Sequence, residues 1–176
     1  MEPFVHALIP LAFLLALFPN LDKKYIFYLV PIVWIIDLDT FIGLHRFTFH
    51  NLTFILALAG IAYIIFRNRT AFWVACYYGI SHLILDLALP GVAFFYPFYQ
   101  KTFYLNFSLT RVTQWIVDIS AGTLSLDQFQ ALLPGWTEKT YIGEASILFI
   151  ILFAIILLVR YKKEIKETTQ KWINIK

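Results

Sequence analysis

The sequence predicts an all-α integral membrane protein, a bundle of four to five transmembrane helices with short interfacial helices between the last two spans. Three observations carry that expectation. Of 176 residues, 60% are hydrophobic and 14% charged, whereas soluble domains average about 45–50% and about 25%. Apolar runs able to cross about 30 Å of hydrocarbon recur along the chain. Aromatic residues make up 19%, and the mean hydropathy is +0.73. The single cysteine, Cys76, excludes an intrachain disulfide and a thiolate metal cluster. A net charge of +3 gives no basis for nucleic-acid binding.

The spans read as about 4–19, 25–44, 47–66, 71–90 and 141–160, in one transmembrane domain over 1–160. The first lacks a basic leading segment and holds His6, so it reads as a retained helix rather than a cleaved signal. The second is uninterrupted only from Tyr25 to Ile36, after which Asp37 and Asp39 intervene. Residues 95–140 form the non-spanning part. There Val112, Trp115, Ile116 and Ile119 recur at helical spacing, which suggests a short interfacial helix. Ser125 followed by Gln128 makes a capping box that opens a second helix, stopped by Pro134 and Gly135. Residues 161–176 read as a basic cytoplasmic tail.

Ten of the fourteen Lys and Arg residues follow spans one, three and five, among them Lys23, Lys24, Arg67 and Arg69. The positive-inside rule then places those ends in the cytoplasm and the N-terminus outside.

Ionisable residues at membrane depth are expensive and point to function. All four histidines, His6, His45, His50 and His82, and three carboxylates, Asp37, Asp39 and Asp86, fall at the same ends of their spans, in the outward-facing layer. His82 and Asp86 are i and i+4, on one helix face, where imidazole and carboxylate can share a metal. Asp37 and Asp39 are i and i+2, about 200° apart on a regular helix, so both ligate only where the helix has frayed. His45 and His50 are off register, which makes one a ligand and the other an acid, a base or a supporting partner. A lone histidine would read as a helix contact and an isolated Asp pair as a helix end; their joint placement favours a shared metal site. Imidazole and carboxylate without thiolate suit zinc first, with manganese or iron as alternatives. Six candidate ligands suggest two or three ions.

The motifs are His6, Ile36-Asp37-Leu38-Asp39, His45-Arg46-Phe47-Thr48-Phe49-His50, and Ser81-His82-Leu83-Ile84-Leu85-Asp86 running through Pro90-Gly91 to Tyr96-Pro97-Phe98. Over roughly residues 6–98 this order resembles the YdjM-like membrane-bound metal-dependent hydrolases. That family's pattern is an early His, Pro-Asp-x-Asp, His-Arg-Gly-x-Thr-His, and Ser-His-x-x-x-Asp followed by Pro-Gly and Tyr or Trp-Pro-Phe. Here Ile36 stands for the proline, and Phe47 and Phe49 alter the middle motif. The resemblance implies a divalent-metal hydrolase. The ligand types are also similar, more remotely, to those of zinc-dependent phospholipase C, which implies phosphoester cleavage.

The expected function is a zinc-type hydrolase cleaving a lipid or lipid-linked phosphoester at the extracytoplasmic face of the membrane. The metal candidates are His6, Asp37, Asp39, His50, His82 and Asp86. His45 is the proton-transfer candidate, Arg46 the phosphate-binding one, and Asp37 doubles as a base. The other readings are a haem protein using two histidines, an ion-translocating protein lined by the aspartates, and a non-catalytic metal-binding relative.

Overall fold

The computed structural model describes residues 3–111 and 115–132, with single helical residues at 151, 154, 155 and 162. Its elements are α1 (Pro3–Leu17), α2 (Lys23–Tyr28), α3 (Ile32–Ile36), α4 (Asp39–Ile42), α5 (Leu52–Phe66), α6 (Arg69–Leu85), β1 (Lys101–Arg111), β2 (Trp115–Ser125) and α7 (Leu126–Leu132).

Helix α6 organises the helical layer, packing against α1, α2, α3 and α5. Its buried residues Ala71, Val74, Ala75, Tyr78, Gly79, His82 and Leu83 recur at three- and four-residue steps, one stripe that faces the core. His82 is therefore delivered by the same periodicity that packs the helix. Close approach of α5 requires Gly79, because a Cβ there would lie 2.7 Å from Ile55 Cγ1. Pro31 interrupts the α2–α4 run by removing a backbone donor. Nearby, the Tyr78 hydroxyl donates to the Ile26 carbonyl at 2.9 Å, tying α6 to that break.

The expectation of four to five spans in an all-α bundle is corrected in two respects. Among the described residues one stretch, Lys23–Ile42, is long and apolar enough to cross a membrane, with a mean hydropathy of 1.7. Phe4–Leu17 and Leu52–Phe66 are apolar but shorter. The physical reason is that residues 43–51 are not helical. They form a loop that removes the start expected for the third span, and the fifteen residues of α5 then extend about 22 Å, short of about 30 Å of hydrocarbon. Apart from residues 151, 154, 155 and 162, the fifth span and the tail lie outside the described residues, as does the stop at Pro134 and Gly135.

The second correction concerns residues 101–111 and 115–125, a pair of antiparallel strands rather than a helix, in which Leu105 pairs with Ala121 and Phe107 with Ile119. Phe103, Leu105 and Phe107 alternate with Thr102, Tyr104, Asn106 and Ser108, a period of two rich in strand-forming residues. The helical spacing of Trp115, Ile116 and Ile119 is overridden by that stronger pattern, while Val112 lies outside the described residues. The capping box does form, with Ser125 N donating to Gln128 Oε1 at 2.9 Å and Gln128 N to Ser125 Oγ at 3.3 Å. It opens α7, whose Phe129 is buried against Phe47 and Ala93.

Candidate metal centre

The histidines and aspartates collect at one end of the helical layer, each set there by a local feature of the chain. Asp86 caps the C-terminus of α6, one turn beyond His82. Asp37 caps the C-terminus of α3, and Asp39 opens α4. The break between those short helices lets the two carboxylates serve opposite sides of His50. The loop carrying His45, Arg46 and His50 is folded by two side chains. Thr48 Oγ1 accepts from Leu44 N at 3.0 Å. Asn51 donates to the carbonyls of Phe47 and Thr48, at 3.1 and 2.9 Å, and caps α5 by accepting from Phe54 N at 2.8 Å.

Four donor atoms converge. His50 Nε2 and His82 Nε2 are 3.0 Å apart. Asp86 Oδ2 lies 3.2 Å from the first and 3.3 Å from the second. Asp37 Oδ1 completes the group at 3.5 and 3.3 Å from the same two nitrogens. An ion with tetrahedral bonds of about 2.0–2.1 Å holds its donors about 3.3 Å apart. Two imidazoles and two carboxylates also make a charge-neutral site for a divalent ion. The donor set thus fits a metal in both spacing and charge. Asp37 Oδ2 and His82 Nδ1 are buried without a hydrogen-bond partner.

Asp39 stands behind this group. Its Oδ2 accepts from His50 Nδ1 at 2.8 Å and from the backbone amides of Arg46 and Phe49 at 3.2 and 3.3 Å. Its Oδ1 meets His45 Nδ1 at 2.7 Å. A proton held on Nδ1 by Asp39 leaves the Nε2 lone pair of His50 directed at the other donors. Burial opposes charge on the His50 ring, but the carboxylates of Asp37, Asp39 and Asp86 around it outweigh that cost and push its pKa up to about 10. In the metal-free protein a protonated His50 balances the carboxylates.

Arg46 is buried, and it is turned toward the protein. Its Nη2 donates to Asp86 Oδ1 at 3.1 Å, and its Nη1 to the carbonyls of Asp86 and Ala88 at 3.1 and 3.0 Å. Its backbone takes the left-handed conformation, φ 67°, a strained state for a non-glycine residue. Two hydrogen bonds hold it there, from Arg46 N to Asp39 and from Ala93 N to the Arg46 carbonyl. His6 packs beside the group, with its ring centroid 4.6 Å from that of His82 and Nε2 3.2 Å from Asp86 Oδ1. That contact lacks hydrogen-bond alignment. His45 is one-third exposed.

The model of one membrane family matches residues 1–165, nearly the whole chain. The chain belongs to the YdjM inner membrane protein family. No curated protein and no solved structure matches it. The YdjM assignment agrees with the resemblance carried by the His and Asp motifs, and with the apolar stretch Lys23–Ile42.

The structure brings Asp37, His50, His82 and Asp86 into one group and Asp39, His45 and His50 into a second that shares His50. His6 stands adjacent to the first, and Arg46 contacts its Asp86. Thr48 and Asn51 were not singled out as site residues, although an Asn directly before an apolar run is a recognisable helix start. Leu87 carries no signal in the sequence; its carbonyl accepts from Leu105 N at 2.8 Å and ties the hairpin to the turn at Asp86.

Proposed function

We propose that this YdjM protein is a metal-dependent hydrolase holding one zinc ion on Asp37, His50, His82 and Asp86, and cleaving a lipid or lipid-linked phosphoester. The single observation that carries the reading is the set of four donor atoms at tetrahedral spacing. Asp39 and His45 support the group rather than form a second ion site, since Asp39 already accepts four hydrogen bonds. A divalent ion held here would supply Lewis-acid polarisation of a phosphoryl oxygen and a nucleophile from water at neutral pH once Asp37 gives up its place to that water, leaving three protein ligands and an open position.

The chain's own groups then have distinct tasks. Asp39 fixes the tautomer of His50 and, through Nδ1, orients His45, leaving His45 Nε2 to exchange a proton with a leaving alkoxide. Asp37 Oδ2, without a hydrogen-bond partner, is placed to take a proton from the attacking water. Arg46 holds Asp86 in its ligating position and keeps the turn after α6 closed.

The extracytoplasmic face is favoured by charge. Lys23 and Lys24 open the candidate span and Asp37 and Asp39 lie at its other end. Arg67 and Arg69 sit at the basic end too, where Lys24 Nζ lies 5.9 Å from the Phe66 ring centroid. The positive-inside rule puts that end in the cytoplasm and the donor group outside. A haem with two axial imidazoles fits poorly, because nitrogens on opposite sides of an iron stand about 4 Å apart, against 3.0 Å here with carboxylates filling the gap.

The test is hydrolysis of phosphatidylglycerol and of a polyprenyl phosphate by detergent-purified protein, with and without a chelator. Phosphate or headgroup release that chelation stops and zinc restores supports the reading. A protein that binds zinc but turns over neither substrate, nor generic phosphoesters, is a non-catalytic metal-binding relative.

A further inference from the structure

The β1–β2 hairpin has two unlike faces. Antiparallel pairing puts Phe103, Leu105, Phe107, Val117, Ile119 and Ala121 on one side. Asn106, Ser108, Asp118 and Ser120 lie on the other, with Tyr104 and, toward the turn, Ile116. The apolar side is open, with Phe107 and Ile119 each 64% exposed. A soluble protein would bury such a stripe against a helix or second sheet.

This face is continuous with other exposed aromatic residues. The Phe103 ring lies 5.7 Å from that of Phe95 and 5.8 Å from that of Tyr99, and Phe98 nearby is 86% exposed. The root of the hairpin is tied to the donor group. Val92 and Phe103 exchange two backbone hydrogen bonds of 2.9 Å, and Leu105 N donates to the carbonyl of Leu87, the residue after Asp86. Gly91 makes the turn that permits this, at φ 86°. Asp39, at the far end of the candidate span, bonds Arg46, and Arg46 bonds both Asp86 and Ala93. The span therefore ends where the hairpin begins, and its last residues, Phe41 and Ile42, are exposed as well.

We infer that the hairpin lies in the headgroup layer with its Phe107–Ile119 face toward the acyl chains, at the end of the span where Asp37 and Asp39 lie. The membrane is the occupant because the chain already has a membrane-spanning candidate whose end meets the hairpin root. Aromatic and aliphatic residues on one side with polar groups on the other suit that boundary. The inference does not depend on the metal chemistry, since it concerns a surface rather than a reaction.

The test uses the full chain in vesicles of phosphatidylethanolamine and phosphatidylglycerol. Single cysteines replace the exposed Phe107 and Ile119 on the apolar face (Phe107→Cys, Ile119→Cys) and the half-buried Asn106 and Ser120 on the other (Asn106→Cys, Ser120→Cys), and each carries an environment-sensitive fluorophore. Wild-type protein, whose Cys76 is buried, is the labelling blank. The expected result is blue-shifted emission at Phe107→Cys and Ile119→Cys, quenched by nitroxides on the acyl chains, with iodide quenching at Asn106→Cys and Ser120→Cys. Iodide quenching on both faces, or lipid quenching on both, overturns the inference. So does an apolar face shielded from both quenchers and cross-linked between chains, which would assign it to a second copy.

Discussion

Asp39 holds His50 by the nitrogen that faces away from the donor group, with 2.8 Å between Oδ2 and Nδ1, while Nε2 of the same ring meets His82, Asp37 and Asp86. The ring is a relay between a supporting carboxylate and a metal position. Losing such a support costs about 10–100-fold in metal affinity. Asp39→Ala is expected to bind zinc weaker by about that factor and still be filled at high zinc, whereas Asp37→Ala loses a donor outright. Competition with a chromophoric chelator separates the two; equal losses would make Asp39 a ligand.

Arg46 gives a prediction about stability. It neutralises a buried Asp86 and fills the turn at 86–88 with directed hydrogen bonds. Arg46→Met removes one of the cations beside that carboxylate and the donor to two buried carbonyls, a change that destabilises by up to about 3–5 kcal/mol. Denaturant unfolding of the metal-free protein in detergent measures it. A loss below about 1 kcal/mol, the range of exposed pairs, would place Arg46 at the substrate instead.

His45 gives a kinetic one. With Nδ1 on Asp39 and the ring one-third exposed, His45→Ala is expected to lower kcat by about 10²–10⁴-fold, the range of a lost acid or base, with zinc content unchanged. Turnover of the phosphoester found in the substrate screen, read beside metal content, is the measurement. Loss of zinc in this variant would make His45 a ligand.

Proton competition sets a pH dependence. His50, pushed up to about 10 by its three carboxylate neighbours, carries a proton at neutral pH that an incoming ion must displace. Apparent zinc affinity should therefore rise with pH, by about tenfold per unit for each proton released. Calorimetric titration in buffers of different ionisation enthalpy counts those protons; affinity flat from about pH 6 to about pH 9 contradicts a protonated His50.

Much of the centre is legible in local sequence. The His82-x-x-x-Asp86 step needs only helical geometry, and the two side chains meet at 3.3 Å. The Ser125 and Gln128 cap likewise depends on contacts three residues apart. The difference between Asp37 and Asp39 was not legible, because it arises from the break between α3 and α4 and from the loop that brings His50 between them. Arg46 next to His45 reads as a phosphate ligand from charge alone; only the fold shows its guanidinium turned to Asp86. The spans are overcounted because apolar runs alone do not show where a helix breaks: the expected start of the third span at Phe47 lies in a loop folded by Thr48 and Asn51 to build the site. The hairpin was misread where helical spacing around Ile116 and Ile119 competed with strand alternation.

The central claim is that Asp37, His50, His82 and Asp86 share one ion. Its most direct test is elemental mass spectrometry of the freshly purified protein beside a His82→Ala and Asp86→Ala double variant whose folding is checked by circular dichroism. The account predicts about one zinc per wild-type chain and none above background in the folded variant. No metal in the wild-type protein, or equal metal in both, would contradict it.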